Sequence, residues 1–379
     1  MRPEGQQPLV AEPSNAEIFG PAYSAHSSES AASTLAFKFG GTSLLGAARM
    51  LHAAALVREA ASQSNVVAVV SAMKGVTDRL LSIVKTLEAG CRTDARRDAQ
   101  HILRIHLEVL RDLQLPPPEH RRIEHDLQLL GRDLLHDASP EIQPSSAARA
   151  MLQDRLASYG ERFSARLFAA ALEKSGVPAV PVSSSEFVLT CDTFRDARPQ
   201  MAETVRRGRE ILLPLFAQRL VPVVTGFVGA TRDGRVTTLG RNSSDFSGAL
   251  IAHLVDADEL VIWTDVDGIF TANPRESAEA KLLHELSYDQ AHALAAAGAK
   301  VLHAKVLPLA AETEMVVWVR NTFNPHVRGT RIGPAPACAS DSTFDKNPST
   351  DLSAAGAPGV EFTPGSLSVG HNSNLRGEA

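Results

Sequence analysis

From residue 35 to residue 333 the chain alternates short runs of β-branched and apolar residues with longer stretches in which apolar side chains return every three or four positions. The first pattern suits buried strands and the second suits helices with one apolar stripe. Strands are predicted at Leu35–Phe39, Val66–Ser71, Val177–Val182, Val221–Val228, Val236–Thr238, Leu260–Thr264 and Met315–Val319. Helices are predicted around 44–61, 76–89, 147–174, 201–213, 245–255 and 287–297. This alternation predicts an α/β domain around a mostly parallel sheet, because parallel strands need crossover connections that are usually helical. Between Arg92 and His136 two polar helices, His101–Leu113 and Glu119–His136, flank Pro116-Pro117-Pro118. They read as an inserted helical hairpin near 92–136, an outer lobe to the sheet. Residues 1–34 and 334–379 are rich in Ser, Ala, Pro, Gly, Asn and Asp and lack apolar periodicity. They are expected to be disordered tails around one domain at 35–333.

Composition narrows the partners. A net charge of −5 and a pI near 6.2 supply no basic field for nucleic acid or an acidic membrane surface, so small molecules are the expected ligands. Cys91, Cys191 and Cys338 are odd in number, far apart and without a CxxC spacing, which argues against a disulfide framework or a zinc site. No apolar run approaches the roughly 18 residues of a membrane span. Glu4, Glu12, Glu17 and Glu29 in a leading segment without an apolar core argue against a targeting signal. A cytoplasmic protein is expected.

Candidate chemistry gathers where strands end and helices begin. In Lys38-Phe39-Gly40-Gly41-Thr42-Ser43 a lysine, two glycines and two hydroxyls close the first strand. Glycines let backbone N–H groups approach an anion, and a helix starting near Ser43 would aim its positive end at the same place. The order differs from a Walker A loop, in which the lysine follows the glycines. The Val69–Asp78 segment follows the second strand and caps a helix, so a plain capped loop competes with a ligand loop there. Gly160 interrupts an apolar helix beside Glu161 and Arg162, and close approach of a ligand or another backbone would explain it; the competing reading is an exposed helical ion pair. At Thr237–Asp245 hydroxyls, Arg241 and Asp245 meet at a helix N-terminus; Arg241 could grip a carboxylate, and Asp245 could be only an N-cap. Trp263–Arg275 leaves a buried strand for a polar turn, the usual nucleotide position in an open α/β sheet, although Asp265 and Asp267 could be turn residues only. Gly298–His303 carries Lys300 in a helix-breaking turn.

In this order the segments resemble the aspartate kinases of the amino-acid kinase superfamily. The resemblance rests on KFGGTS at Lys38–Ser43, TLGR..SD at Thr238–Asp245, WTDVDGIFTANPR at Trp263–Arg275, GAKVLH at Gly298–His303 and NT.NP..GT at Asn321–Thr330, and it covers most of 35–333. It implies a three-layer α/β sandwich with a central mainly parallel sheet, and a reaction in which ATP phosphorylates L-aspartate to 4-phospho-L-aspartate, the committing step toward lysine, threonine and methionine. Carried over by motif, Lys38 would neutralise the transferring phosphoryl group with the N–H groups of Gly40 and Gly41. Thr42 and Ser43 complete that loop. Thr77, Glu161, Arg241, Asn242, Ser243 and Ser244 would hold aspartate, with Arg241 on a carboxylate and Glu161 on the α-ammonium. Asp245 would order the lysine. Thr264, Asp265, Phe270, Arg275, Lys300 and Val301 fall where the family binds ATP. Magnesium would ride on the ATP phosphates, with no dedicated protein ligands. A homo-oligomer through the catalytic domain is left open.

Three positions depart from the family pattern. Ser243 replaces a glycine, which would harm activity if the backbone there needs positive φ. Phe270 replaces a common tyrosine, and Ala304 a helix-starting proline. After Gly333 no pair of βαββαβ patterns follows, so the effector-sensing ACT domains are not expected, nor is a response to lysine, threonine or methionine. Two alternatives stay open: a superfamily kinase acting on acetylglutamate, glutamate or UMP, and a weakly catalytic binding or regulatory subunit.

Overall fold

The strand that ends in the lysine motif, β1 (Thr34–Phe39), lies inside an eight-stranded sheet in the computed structural model, which describes residues 33–139, 145–240, 243–272, 277, 279–296, 302 and 305–334. The predicted tails lie almost wholly outside the described residues, as does Ala304. β1 pairs in parallel with β2 (Asn65–Val70) on one side and β7 (Glu259–Thr264) on the other. Beyond β2 come β4 (Val221–Thr225) and β3 (Ala179–Val182); beyond β7 come β11 (Val316–Asn321), β12 (Thr330–Ile332) and β10 (Glu285–Leu286). Among the described pairings within this sheet, only β11–β12 is antiparallel. Two ribbons sit outside the sheet, β5 (Val228–Ala230) with β6 (Val236–Thr238) and β8 (Ile269–Phe270) with β9 (Leu282–Leu283).

Side-chain alternation along β1 separates the two core layers. Leu35, Phe37 and Phe39 join an apolar cluster with α1 (Ala47–Ala61), α2 (Val76–Glu88), α3 (Arg92–Asp112), α4 (Pro117–Asp137) and α5 (Ser146–Lys174). Ala36, with Val67 and Val69 of β2, joins a second cluster with α6 (Met201–Ala217), α7 (Ser244–Leu254), α8 (Tyr288–Ala296) and α9 (Val306–Glu312). The result is the expected three-layer sandwich. Lys38 is on the α7 side, the face that Ala36 also presents.

Local sequence explains several boundaries. Pro117 and Pro118 occupy the first turn of α4, where a missing N–H is harmless, and the Ser145 hydroxyl caps α5 by accepting from Ala148 N–H at 3.2 Å. The predicted Val221–Val228 strand is divided at Gly226-Phe227: Phe227 adopts φ 66 and its N–H turns to the Ser247 hydroxyl at 2.7 Å. The short strands β8, β9, β10 and β12 and the helix α9 were not among the predicted elements. The 92–136 hairpin is not an outer lobe. α3 packs on α2, α4 packs on α5, and Ala95, Ala99, Ile102, Leu127, Leu130 and Leu134 are buried in the first cluster. Starting at Arg92 rather than His101, α3 uses the small Ala95 and Ala99 as its buried stripe, which a search for large apolar residues passes over.

His106 lies in this layer, fully buried against the Phe163 ring at 4.5 Å between centroids, with its Nδ1–H donated to the Ile102 carbonyl at 2.6 Å. Burial pushes its pKa down to about 4 from 6.5, opposed weakly by that hydrogen bond. The neutral ring therefore belongs to the folded state, whose stability is intact above pH 6.5 and declines as the pH falls toward 4, where the unfolded chain binds a proton first. In urea unfolding between pH 7.5 and 4, His106→Phe is expected to remove about 3 kcal/mol of the wild-type loss. Identical pH slopes for the two proteins would contradict a buried neutral imidazole.

Candidate active site

Strand order reverses at β1: the chain first adds β2, the edge strand β3 and then β4 between them on one side, and returns to add β7 on the opposite side. The crevice at the carboxyl ends beside such a reversal is where open α/β sheets bind ligands. Lys38 reaches it from the end of β1. Its stem packs on α7 at Gly248, where a Cβ would lie only 3.1 Å from the lysine Cβ. The ammonium meets Asp245 Oδ1 at 2.6 Å, and both side chains are largely shielded, 10% and 22% exposed. Asp245 thus does more than begin a helix: from the first turn of α7, the end that favours negative charge, it holds the lysine.

The double glycine serves packing first. Gly40 N–H donates to the Trp263 carbonyl at 3.2 Å and is therefore committed to β7, which corrects the expectation that it faces a phosphate. Gly41 meets the loop after β2 backbone to backbone: a Cβ would lie 2.5 Å from the Ala72 oxygen, and the Gly41 carbonyl accepts Lys74 N–H at 3.1 Å. Its own N–H makes no hydrogen bond among the described residues. Thr42 is half-buried and its carbonyl receives Arg49. Ser43 is fully buried, with its hydroxyl bonded to that of Thr322 at 2.7 Å, so it ties the turn to β11. The following helix begins at Ala47 after Gly46 at φ 87, not at Ser43.

Glu161 enters the same space from α5. Gly160 brings that helix against the loop, since a Cβ there would stand 2.6 Å from Ala72 Cβ; the close approach is to a side chain rather than a backbone. Glu161 is 3% exposed, and Oε2 lacks a hydrogen-bond partner among the described residues; its burial rules out the exposed-pair reading. Burial pushes its pKa up to about 8, partly offset by backbone N–H groups at Ala72 and Glu161 and by the charge of Lys38. Thr77 stands half-buried in the first turn of α2 beside this loop. Asp154, two turns before Glu161, was missed by sequence reasoning. Its carboxylate accepts Thr238 N–H at 2.9 Å, the Thr238 hydroxyl at 2.8 Å and Arg195 N–H at 2.8 Å, fixing the end of β6 just before α7. An acid seven residues from Glu161 on an apolar helix was the available signal.

Toward β7, Thr264 is half-buried and Asp265 exposed. Asp267 instead accepts from Asn321 at 2.7 Å and Asn324 at 3.2 Å, which makes it the clasp between the β7 and β11 turns. Phe270 is half-buried on β8. Arg241, Asn242, Arg275, Lys300 and Val301 lie outside the described residues. Ser243 and Ser244 open α7. Ser243 has φ −80, an ordinary value, so no glycine-like backbone is required there. Its hydroxyl is buried without a partner among the described residues. Among the described residues no three His, Cys, Asp or Glu side chains are grouped to hold a metal.

Ser243→Ala is expected to stabilise the free protein by ~1 kcal/mol in urea unfolding, because an unpaired buried hydroxyl is a desolvation cost. A loss of similar size would mean the hydroxyl has a partner in the free protein.

Comparison with known proteins follows the same outline. Residues 33–321 match the model of the Amino acid kinase family. The chain is 34% identical over 296 residues to lysine-sensitive aspartokinase 3 of Escherichia coli, covering 78% of this chain and 63% of that protein. It is 33% identical over 303 residues to the chloroplastic aspartokinase 3 of Arabidopsis thaliana, covering 79% and 53%. The crystal structure of E. coli aspartokinase III in complex with aspartate and ADP superposes with a TM-score of 0.69 at 32% identity, over 79% of this chain and 64% of that one. The chain spans less than two thirds of the length of these relatives.

Proposed function

The chain belongs to the amino acid kinase family, and we propose that it transfers the γ-phosphoryl group of ATP to the β-carboxylate of L-aspartate, giving 4-phospho-L-aspartate and ADP. The observation that carries the choice of acceptor is Glu161, a buried carboxyl near Lys38 with an oxygen that is unpartnered among the described residues. A free amino acid brings an ammonium to pair with it. Acetylglutamate and UMP do not. The relatives' names and the aspartate and ADP bound to the E. coli enzyme support the same reading.

Residues 35–333 form the catalytic domain in this proposal. The β-carboxylate is already ionised at neutral pH and needs no general base, so the protein's task is to position two anions and offset their repulsion. Lys38, aimed by Asp245, neutralises charge growing on the transferring phosphoryl oxygens, with Gly41 N–H as a further donor. Glu161 holds the α-ammonium, and Thr77 and Ser244, in the first turns of α2 and α7, are the further aspartate contacts in this reading. Thr264, Asp265 and Phe270 border the nucleotide. ATP brings magnesium on its phosphates in this reading, which offsets phosphate charge. Among the described residues no helix is long and apolar enough to cross a membrane.

Two measurements test this reading. A coupled assay for ADP release is expected to show turnover with L-aspartate, none with acetylglutamate or UMP, and none in a Lys38→Ala control; preference for either other acceptor would replace aspartate. The second concerns pH. Because burial holds the Glu161 carboxyl near pKa 8, an incoming ammonium must displace its proton. KM for aspartate is expected to fall by about tenfold per pH unit as the pH rises toward 8 and to level off above it. Glu161→Gln should show weak binding and no such slope, whereas a wild-type KM flat from pH 6 to 8 would remove Glu161 from the ammonium site.

A further inference from the structure

On the far side of α5's contact with the β2 loop, a cleft of about 310 Å³ opens between that helix and the carboxyl ends of β3 and β4. Its volume is at the small end for a ligand site. Neither Lys38, Asp245 nor Glu161 lines it. The polar α5 residues that do, Ser158, Arg162 and Arg166, recur every four positions and make a stripe of their own, on a cleft also lined by Ser183, Ser185 and Glu186.

The two arginines are held in place but not neutralised. Arg162 stacks on the Tyr159 ring, with Cζ 4.9 Å from its centroid, and Arg166 donates from Nη1 to the Arg162 carbonyl at 2.9 Å. Neither forms an ion pair with a carboxylate among the described residues. Like charges four apart on a helix repel, and partial burial sharpens that repulsion. Burial and the neighbouring Arg162 both weaken the hold of Arg166 on its proton, while Asp126 and the rim residue Glu186 act from a distance in the other direction. Hydroxyl donors complete the wall. Ser183 and Ser185 are bonded to each other at 2.8 Å, which uses one of their two hydrogens and leaves the other. Rigid guanidinium forks beside hydroxyls, in a cleft walled partly by Ala165, Val182 and Val228, are complementary to an oxyanion on a small body.

We propose that this cleft is a second, separate anion site that takes a small ligand presenting a carboxylate or phosphate group to Arg162 and Arg166. The exposed Glu186 at the rim limits how much negative charge the ligand carries. The site depends only on these side chains and not on which reaction the chain catalyses.

The test is calorimetric titration of the full chain at constant ionic strength with inorganic phosphate in one arm and succinate in the other, in wild type, Arg162→Gln, Arg166→Gln, Glu186→Gln and Lys38→Ala. Saturable binding is expected in at least one arm, weakened about tenfold or more by either arginine change, tightened by Glu186→Gln and kept in Lys38→Ala. The arm that binds more tightly identifies the phosphate or the carboxylate class. Arg162→Gln gives up only the stacking on Tyr159, so the test stands even where Arg166→Gln does not fold. No saturable binding in either arm at millimolar concentration, or affinities within twofold of wild type in both Arg162→Gln and Glu186→Gln, overturns the proposal. Binding lost in Lys38→Ala but kept in Arg162→Gln also overturns it, by assigning the anion to the other site.

Discussion

The ion pair between Lys38 and Asp245 sets conditions that much of the architecture meets. A lysine near the end of an interior strand projects between a sheet and a largely apolar helical layer, and a full charge in such a place must be partnered. The partner has to arrive on a helix that crosses β1 closely, and α7 does so because Gly248 presents no side chain to the lysine stem. The crossing also has to follow the reversal of strand order, so that the same helix start faces the crevice between β1 and β7. Sheet order, a small residue on α7 and an acid in its first turn are consequences of placing one charge there. Losing either partner would leave a buried charge uncompensated, a change that commonly costs about 3–5 kcal/mol.

Close backbone contact extends that constraint to the acidic side of the crevice. Gly41 and Gly160 clasp the loop after β2 from opposite directions, one against the Ala72 carbonyl and the other against its methyl group. The loop becomes a thin partition, and Glu161 comes near enough for Lys38 to influence its ionisation. Among the described residues the crevice therefore holds a cation already matched, Lys38, and a carboxyl that burial favours in its protonated form, Glu161. An acceptor bearing both a carboxylate and an ammonium fits that asymmetry, since its ammonium supplies what Glu161 lacks.

Helix α5 shows how burial and partnering assign different duties to neighbouring charges. Asp154 is as deeply buried as Glu161, but three hydrogen bonds satisfy its carboxylate, and it acts as a peg for the end of β6. Glu161 has an oxygen with no such satisfaction. Asp267 and Asp265 divide in the same way on the β7 turn, the first clasped by two asparagines and the second left to solvent. Each pair carries the same carboxylate chemistry; the surrounding donors make the difference.

Much of the plan was legible in the amino-acid order. Strand and helix periodicity yielded the parallel sheet and most of its elements, because a buried strand and an amphipathic helix each need a local pattern of apolar side chains that no partner can replace. The segments at Lys38, Glu161 and Asp245 stood out for the same reason, since glycine, charge and hydroxyl are chemical needs written locally, and the fold brings these three side chains near one another. What the folded chain alone decided depends on contacts between distant residues. It committed Gly40 N–H to Trp263, the Ser43 hydroxyl to Thr322 and Asp267 to Asn321, and it placed the 92–136 hairpin in the helical layer through Ala95 and Ala99. Two-residue strands such as β8 and β10 are specified by the neighbour that completes their hydrogen bonds and leave almost no periodicity to read. Whether a polar group is satisfied or available depends on what packs against it, and one-dimensional order does not contain that.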